Sequence, residues 1–153
     1  MIETLKMDLF DAPKEALLVH ACNCLGVWGS GIARVFRDKY PKAAEEYRTI
    51  CERDGKTLLG SALVVTDSER RIGCLFTSYA FGEGVDSVTE ILDASKTAII
   101  DMYELARIFG VTDIYSNKFN SGLFGVPWYK TENVLLEISP NYPEISWTVC
   151  DWP

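Results

Sequence analysis

Hydrophobic positions along the chain alternate between two patterns. Short, mostly apolar runs at Ile2–Met7, Ala16–Ala21, Ser61–Thr66, Ile72–Ser78, Asp113–Ser116 and Ile145–Cys150 predict strands, several of them apolar throughout, as strands covered on both faces are. Between them, apolar residues recur every three or four positions. Val88, Ile91, Leu92, Ser95, Ile99, Met102, Ala106 and Phe109 predict one long amphipathic helix that stops at Gly110. A second helix opens at Pro41, whose missing N–H costs nothing in a first turn. It presents Ala44, Tyr47, Ile50 and Cys51 inward and stops at Gly55. A short helix from Gly31 to Tyr40 precedes it, and a last one runs from Trp128 to Ile138, with Pro140 following. This alternation predicts an α/β protein, a three-layer α/β/α sandwich around a central mixed sheet. No repeat or linker interrupts it, so residues 1–153 read as a single domain.

Composition narrows the class. The length of 153 residues suffices for a full core without disulfide staples. No apolar run approaches the roughly 20 residues of a membrane span, and the start MIETLKMDLF lacks the basic and apolar regions of a signal peptide. A cytoplasmic protein is expected, with a nuclear location open to a eukaryotic one, and a monomer. Five scattered cysteines suit a reducing compartment better than a disulfide framework. Metal is not expected, because Cys22-Asn23-Cys24 is one isolated pair, His20 is the only histidine, and a closed zinc site takes four ligands in two spaced pairs. The formal net charge of −7 argues against a nonspecific nucleic-acid binder, which gains affinity from clustered Lys and Arg.

Two loops stand out. In open α/β sheets ligands collect at the carboxyl ends of strands. The loop Cys22–Gly31 follows the second predicted strand, and Lys118–Trp128 follows the fifth; both are rich in glycine. Glycine lets a ligand approach the backbone closely, and a glycine turn feeding a helix makes an anion cradle of main-chain N–H groups. Two such loops at one sheet edge can grip a diphosphate from both sides.

The stretch "HACNCLGVWGSGIARVF" together with "NSGLFGVPW" resembles the macrodomain family, and within it the fungal-type ADP-ribose-1″-phosphate phosphatases. The resemblance runs from "LKMDLFD" to "WTVCDW" and covers nearly the whole chain. It implies a small-molecule ligand, ADP-ribose or ADP-ribose-1″-phosphate, with no cofactor. Asp8 matches the aspartate that accepts a hydrogen bond from the adenine amino group, with Leu9 supplying a backbone contact. Taken alone, Asp8 reads as a cap. Asn23 matches the asparagine at the distal ribose, and taken alone reads as a turn residue bonding its own backbone. Gly29, Ser30, Gly31 and Ile32 match the first phosphate loop. Asn120, Ser121, Gly122, Leu123, Phe124 and Gly125 match the second.

For catalysis the resemblance points to His20, which stands where the fungal-type enzymes carry a histidine, and where an imidazole at a pocket floor could orient water. Without the resemblance a lone histidine beside an apolar run reads as core. Asp86, in "FGEGVDS", is the second candidate; the histidine expected near that loop is absent, with Val85 close to its place. Related macrodomains that remove ADP-ribose from glutamate or DNA bases depend on a pocket lysine and often an acid in the second loop. Here Ser30 and Phe124 stand in those loops, and Lys118 sits ahead of the second. A cysteine-phosphatase mechanism needs Cys, five residues, then Arg; counting from Cys24 reaches Ser30 and from Cys22 reaches Trp28. Trp28, Phe124 and Trp128 flank the loops, and Trp152 is the candidate to stack on adenine. The leading expectation is a metal-independent ADP-ribose-1″-phosphate phosphatase. A noncatalytic ADP-ribose reader and an ADP-ribosyl hydrolase acting on modified protein or nucleic acid are the alternatives.

Overall fold

The most continuously apolar stretch of the chain becomes the middle of the sheet. In the computed structural model, which describes residues 1–153, β2 (Leu17–Asn23) is buried along nearly its whole length between β4 (Arg70–Ser78) and β5 (Asp113–Ser116). With β1 (Ile2–Leu5), β3 (Ala62–Asp67) and β6 (Ser146–Cys150) the strand order is β1-β6-β5-β2-β4-β3. Only β3 runs antiparallel to its neighbour, so the sheet is mixed.

Alternate residues of β2 feed two cores. Leu17 and Val19 pack with Ile99 and Met102 of α3 (Val88–Phe109), and with Leu135 of α4 (Trp128–Ile138). Leu18 and Cys22 pack with Phe36 of α1 (Gly31–Lys39), and with Ala43 and Tyr47 of α2 (Pro41–Asp54). The result is the three-layer α/β/α sandwich. The path from β2 to β4 runs through α1 and α2 on one face, and the path from β5 to β6 runs through α4 on the other. Loops leaving the neighbouring strands β2 and β5 therefore part in opposite directions, which opens a crevice at their carboxyl ends. No helix is long and apolar enough to cross a membrane.

Element ends depart from the sequence expectation where partners decide them. β1 stops at Leu5, opposite Cys150, because it is an edge strand and β6 ends there. β2 runs on past Ala21 to Asn23 because β4 continues to pair with it, across an irregularity between Cys22 and Asn23. β4 starts at Arg70, earlier than expected, because Ser68 (φ 51°) and Glu69 (φ 64°) make a two-residue reversal from β3. Such turns usually carry Asn or Gly, so the pattern hid it.

The long helix α3 ends as expected at Gly110, with φ 70°, and the structure adds a reciprocal capping box of Ser87 and Glu90 at its start. Its buried face includes Ala94, Ala98 and Tyr103, whereas Phe109 at the end is exposed. On α2 the buried line is Ala43, Tyr47 and Cys51, and the expected Ala44 and Ile50 flank it half-buried.

The start of α2 has no local cap. Tyr40 offers none, and Asp67 at the end of β3 instead accepts from the N–H groups of Lys42 (2.9 Å) and Ala43 (3.2 Å). A carboxylate there satisfies two of the helix's free donors and complements its dipole. Asp67→Ala is expected to lower the unfolding free energy by about 1–2 kcal/mol in chemical denaturation, and Asp67→Asn, which keeps an acceptor oxygen, by less.

Candidate functional site

At the carboxyl ends of β2 and β5 two cavities adjoin, of about 400 Å³ and about 580 Å³. Both are lined by Ile32, Asn117 and Gly122, which mark the waist of one continuous cleft. Those three residues come from the start of α1, the end of β5 and the second glycine loop. Both glycine loops thus meet across one space.

The first loop is held by Asn23 and Tyr47. Asn23 Oδ1 accepts from the N–H groups of Leu25 (3.0 Å) and Val27 (3.3 Å), while its Nδ2 donates to the Val27 carbonyl (2.7 Å). The Tyr47 hydroxyl donates to the Asn23 carbonyl at 2.6 Å and lies 3.1 Å from its Oδ1. Burial raises the Tyr47 pKa, so the phenol stays a donor. Asn23 therefore bonds its own turn and also lines the smaller cavity. Gly26 (φ 79°) lies against α2: an added Cβ would stand 3.2 Å from both Arg48 Cα and Cys51 Cβ. Only glycine lets the loop approach the helix so closely.

The second loop hangs on Asn120, which is 4% exposed and sits at φ 69°, a conformation asparagine tolerates better than most residues. Its Oδ1 accepts from Thr77 (2.7 Å), its Nδ2 donates to Ser95 Oγ (2.9 Å) and Thr131 Oγ1 (3.4 Å), and its carbonyl accepts from Val126 N–H (2.9 Å). β4, α3 and α4 thus hold one side chain in common. Asn120 anchors the loop and also lines the smaller cavity.

With the loops held by side chains, their main-chain donors stay free. The N–H groups of Gly122, Leu123 and Phe124 have no partner in the protein, and neither have those of Gly29, Ser30, Gly31 and Ile32 at the start of α1. The cleft waist therefore presents two rows of unpaired donors, one of them at a helix N-terminus, which is how a backbone binds phosphate. Ser121 is turned toward the Lys118 carbonyl and lines the larger cavity.

The larger cavity gathers Asp8, Leu9 and Trp152. Asp8 caps the turn Leu9–Asp11 through Oδ1 to Phe10 N–H (3.0 Å). Trp152 is 60% exposed, so its ring is available to a flat ligand. Lys118 bonds Asp151 at 3.2 Å and ties the second loop to the C-terminal tail.

The Macro domain family profile matches residues 19–135. The chain belongs to the macrodomain family. It is 36% identical to an ADP-ribose 1″-phosphate phosphatase of Aspergillus fumigatus over 88% of each chain, and 37% identical to one of Candida albicans over 90% of this chain and 93% of the other. Among solved structures, the macrodomain of Mycobacterium tuberculosis DarG matches with a TM-score of 0.85 at 25% identity, covering 100% of this chain and 97% of that one. Thermosipho africanus DarTG, solved in complex with ADP-ribose, shares the fold with a TM-score of 0.81 at 13% identity, covering 99% of this chain and 41% of that one.

In this macrodomain the two expected catalytic side chains do not reach the cleft. His20 is fully buried, stacked on Phe36 (centroids 4.1 Å apart, 14°) and edge-on to Trp28 (4.9 Å, 64°). Strand alternation turns it toward α1, one layer beneath the cavity floor that Ala21 and Cys22 form. Asp86 accepts from Tyr79 N–H (2.9 Å), and its own N–H donates to Ser78 Oγ (3.2 Å), so it ties the loop after β4 and lines neither cavity. From that loop Phe81 and Gly82 reach the smaller cavity instead. Asn117 was not among the expected site residues, although its place directly after a central strand is a signal; its Oδ1 has no partner. The buried Trp28 Nε1 is likewise unpaired. Burial pushes the Cys24 and Cys51 thiols up to about 12, which keeps them protonated and poor nucleophiles at neutral pH.

Tyr47→Phe removes the close donor from the buried Asn23 carbonyl and leaves it only the weak Cys51 thiol at 4.0 Å. The expected outcome is a loss of about 1–3 kcal/mol in denaturation, with faster amide exchange at Leu25 and Val27.

Proposed function

We propose that this macrodomain is an ADP-ribose-1″-phosphate phosphatase, which adds water to the substrate and releases ADP-ribose and inorganic phosphate, with residues 1–153 acting as one domain in a single chain. The observation that carries the proposal is the continuous cleft with two rows of unpaired N–H donors at its waist, in a chain 36–37% identical to relatives that bear this activity as their name. In this reading the adenosine lies in the larger cavity, where Asp8 accepts from the adenine amino group and Trp152 covers the ring. The diphosphate crosses the waist between Gly29–Ile32 and Gly122–Phe124. The distal ribose enters the smaller cavity beside Asn23, with Phe81 and Leu123 at its rim.

Neither His20 nor Asp86 touches a ligand held this way. The chain's contribution to rate is then placement of the monoester and stabilisation of its charge by preorganised donors, which need no rearrangement as charge develops. The shortage of acids and bases lining the smaller cavity favours a second reading, a noncatalytic ADP-ribose reader.

Phosphate release from ADP-ribose-1″-phosphate separates the two: saturable turnover supports the phosphatase, and tight ADP-ribose binding with no turnover leaves only the reader. Asp8→Asn keeps the cap oxygen and removes the charge. It is expected to weaken ADP-ribose binding by about 10-fold in calorimetry and to raise KM more than it lowers kcat.

A further inference from the structure

His20, Cys22 and Cys74 form a cluster that the ligand reading leaves unused. Strand pairing sets Cys74 on β4 directly opposite His20 on β2, and the two-residue period brings Cys22 to the same face. The ligating atoms of the three residues all lie within 4.8 Å of one another, and all three residues are buried. Cys22 Sγ stands 3.6 Å from His20 Nε2 and 3.9 Å from Nδ1.

The imidazole's bonding is the second observation. It is fully buried, Cys22 Sγ is the one hydrogen-bond partner of either ring nitrogen, and the ring packs against Phe36 and Trp28. A buried imidazole ordinarily finds an oxygen or nitrogen partner, and a thiol is a weak substitute.

We propose that His20, Cys22 and Cys74 bind one thiophilic divalent cation, zinc by donor chemistry, beneath the floor of the cleft. Two sulfurs and an imidazole are a zinc donor set. Tetrahedral zinc holds a nitrogen and a sulfur ligand about 3.6 Å apart and two sulfurs about 3.8 Å apart, so Cys22 and His20 Nε2 already stand at ligand spacing and a pair at the 4.8 Å limit has to close by about 1 Å. Binding expels two thiol protons to solvent, and two thiolates, one neutral imidazole and one divalent ion leave no net charge in the core. Cys22 is also part of the cavity wall, so the ion's route in and a fourth ligand, water, both come from the cleft. The site pins β2 to β4 directly under the first glycine loop, and it is independent of which ligand the cleft takes.

The test titrates the reduced, chelator-treated full chain with cobalt(II) and follows the thiolate-to-metal absorption band. One equivalent should saturate the band, and zinc should displace it. Cys22→Ser and Cys74→Ser each remove a coordinating sulfur and should weaken zinc binding, against a chelating dye, by more than the roughly 100-fold that losing a ligand's outer hydrogen-bond partner costs, whereas Cys150→Ser, two strands away from β2 on β6, should leave it unchanged. No band on the unsubstituted chain overturns the proposal, as does stoichiometric zinc binding that survives in the double serine variant. The first readout needs no substitution, so a variant that folds poorly cannot hide the answer. ADP-ribose binding by the metal-free chain is measured alongside, which keeps failure of this site distinct from failure of the cleft reading.

Discussion

Buried main-chain donors must be paired, whereas donors facing an open cleft stay free for a ligand only if other groups hold the chain in place, and the cleft depends on how that constraint is met. A loop whose N–H groups face a ligand cannot spend them on its own folding. Here two asparagine side chains take over the work. Asn23 bonds Leu25 and Val27, and is itself held by Tyr47 from α2. Asn120 is held by Thr77, Ser95 and Thr131 from three elements. Both amides are nearly buried, where hydrogen bonds are strong and leaving one unmade is costly. Rigid loops with unpaired donors follow, and donors fixed in advance lose little on meeting an anion.

Topology decides that these two loops face each other. β2 and β5 are parallel neighbours whose following helices pack on opposite faces. The space between the departing chains is therefore a consequence of the handedness of two crossovers, not of any residue in the loops. The residues decide what fills it: small and backbone-permissive positions at the waist, aromatic and aliphatic ones at the rim, and a carboxylate with an exposed indole at the far end.

The same alternation that builds the two cores separates His20 from the cleft. Val19 and Ala21 point one way, Leu18, His20 and Cys22 the other, and Cys22 alone of the latter reaches the cavity wall. A histidine one residue before a ligand loop looks close to the chemistry in sequence. In space it belongs to the aromatic stack of Trp28, Phe36 and Tyr47 that supports the loop from beneath.

Much of this macrodomain is legible in its sequence because the responsible signals are local. The period of three to four in α3, Gly110 at its end, Pro41 at the start of α2, the apolar run of β2 and both glycine loops each act over a few neighbouring residues. The order of elements and the layered class follow from them. What remained for the tertiary structure is set by register and by distant partners. Asp67 caps a helix that begins 26 positions earlier in the chain, Asn120 is held from β4, α3 and α4, and Ser68 with Glu69 turns a chain without the usual glycine. The clearest case is Cys74. Nothing near it in sequence connects it to His20, and a shift of one residue in the pairing of β2 with β4 would turn it to the other face, because strand side chains alternate with a period of two.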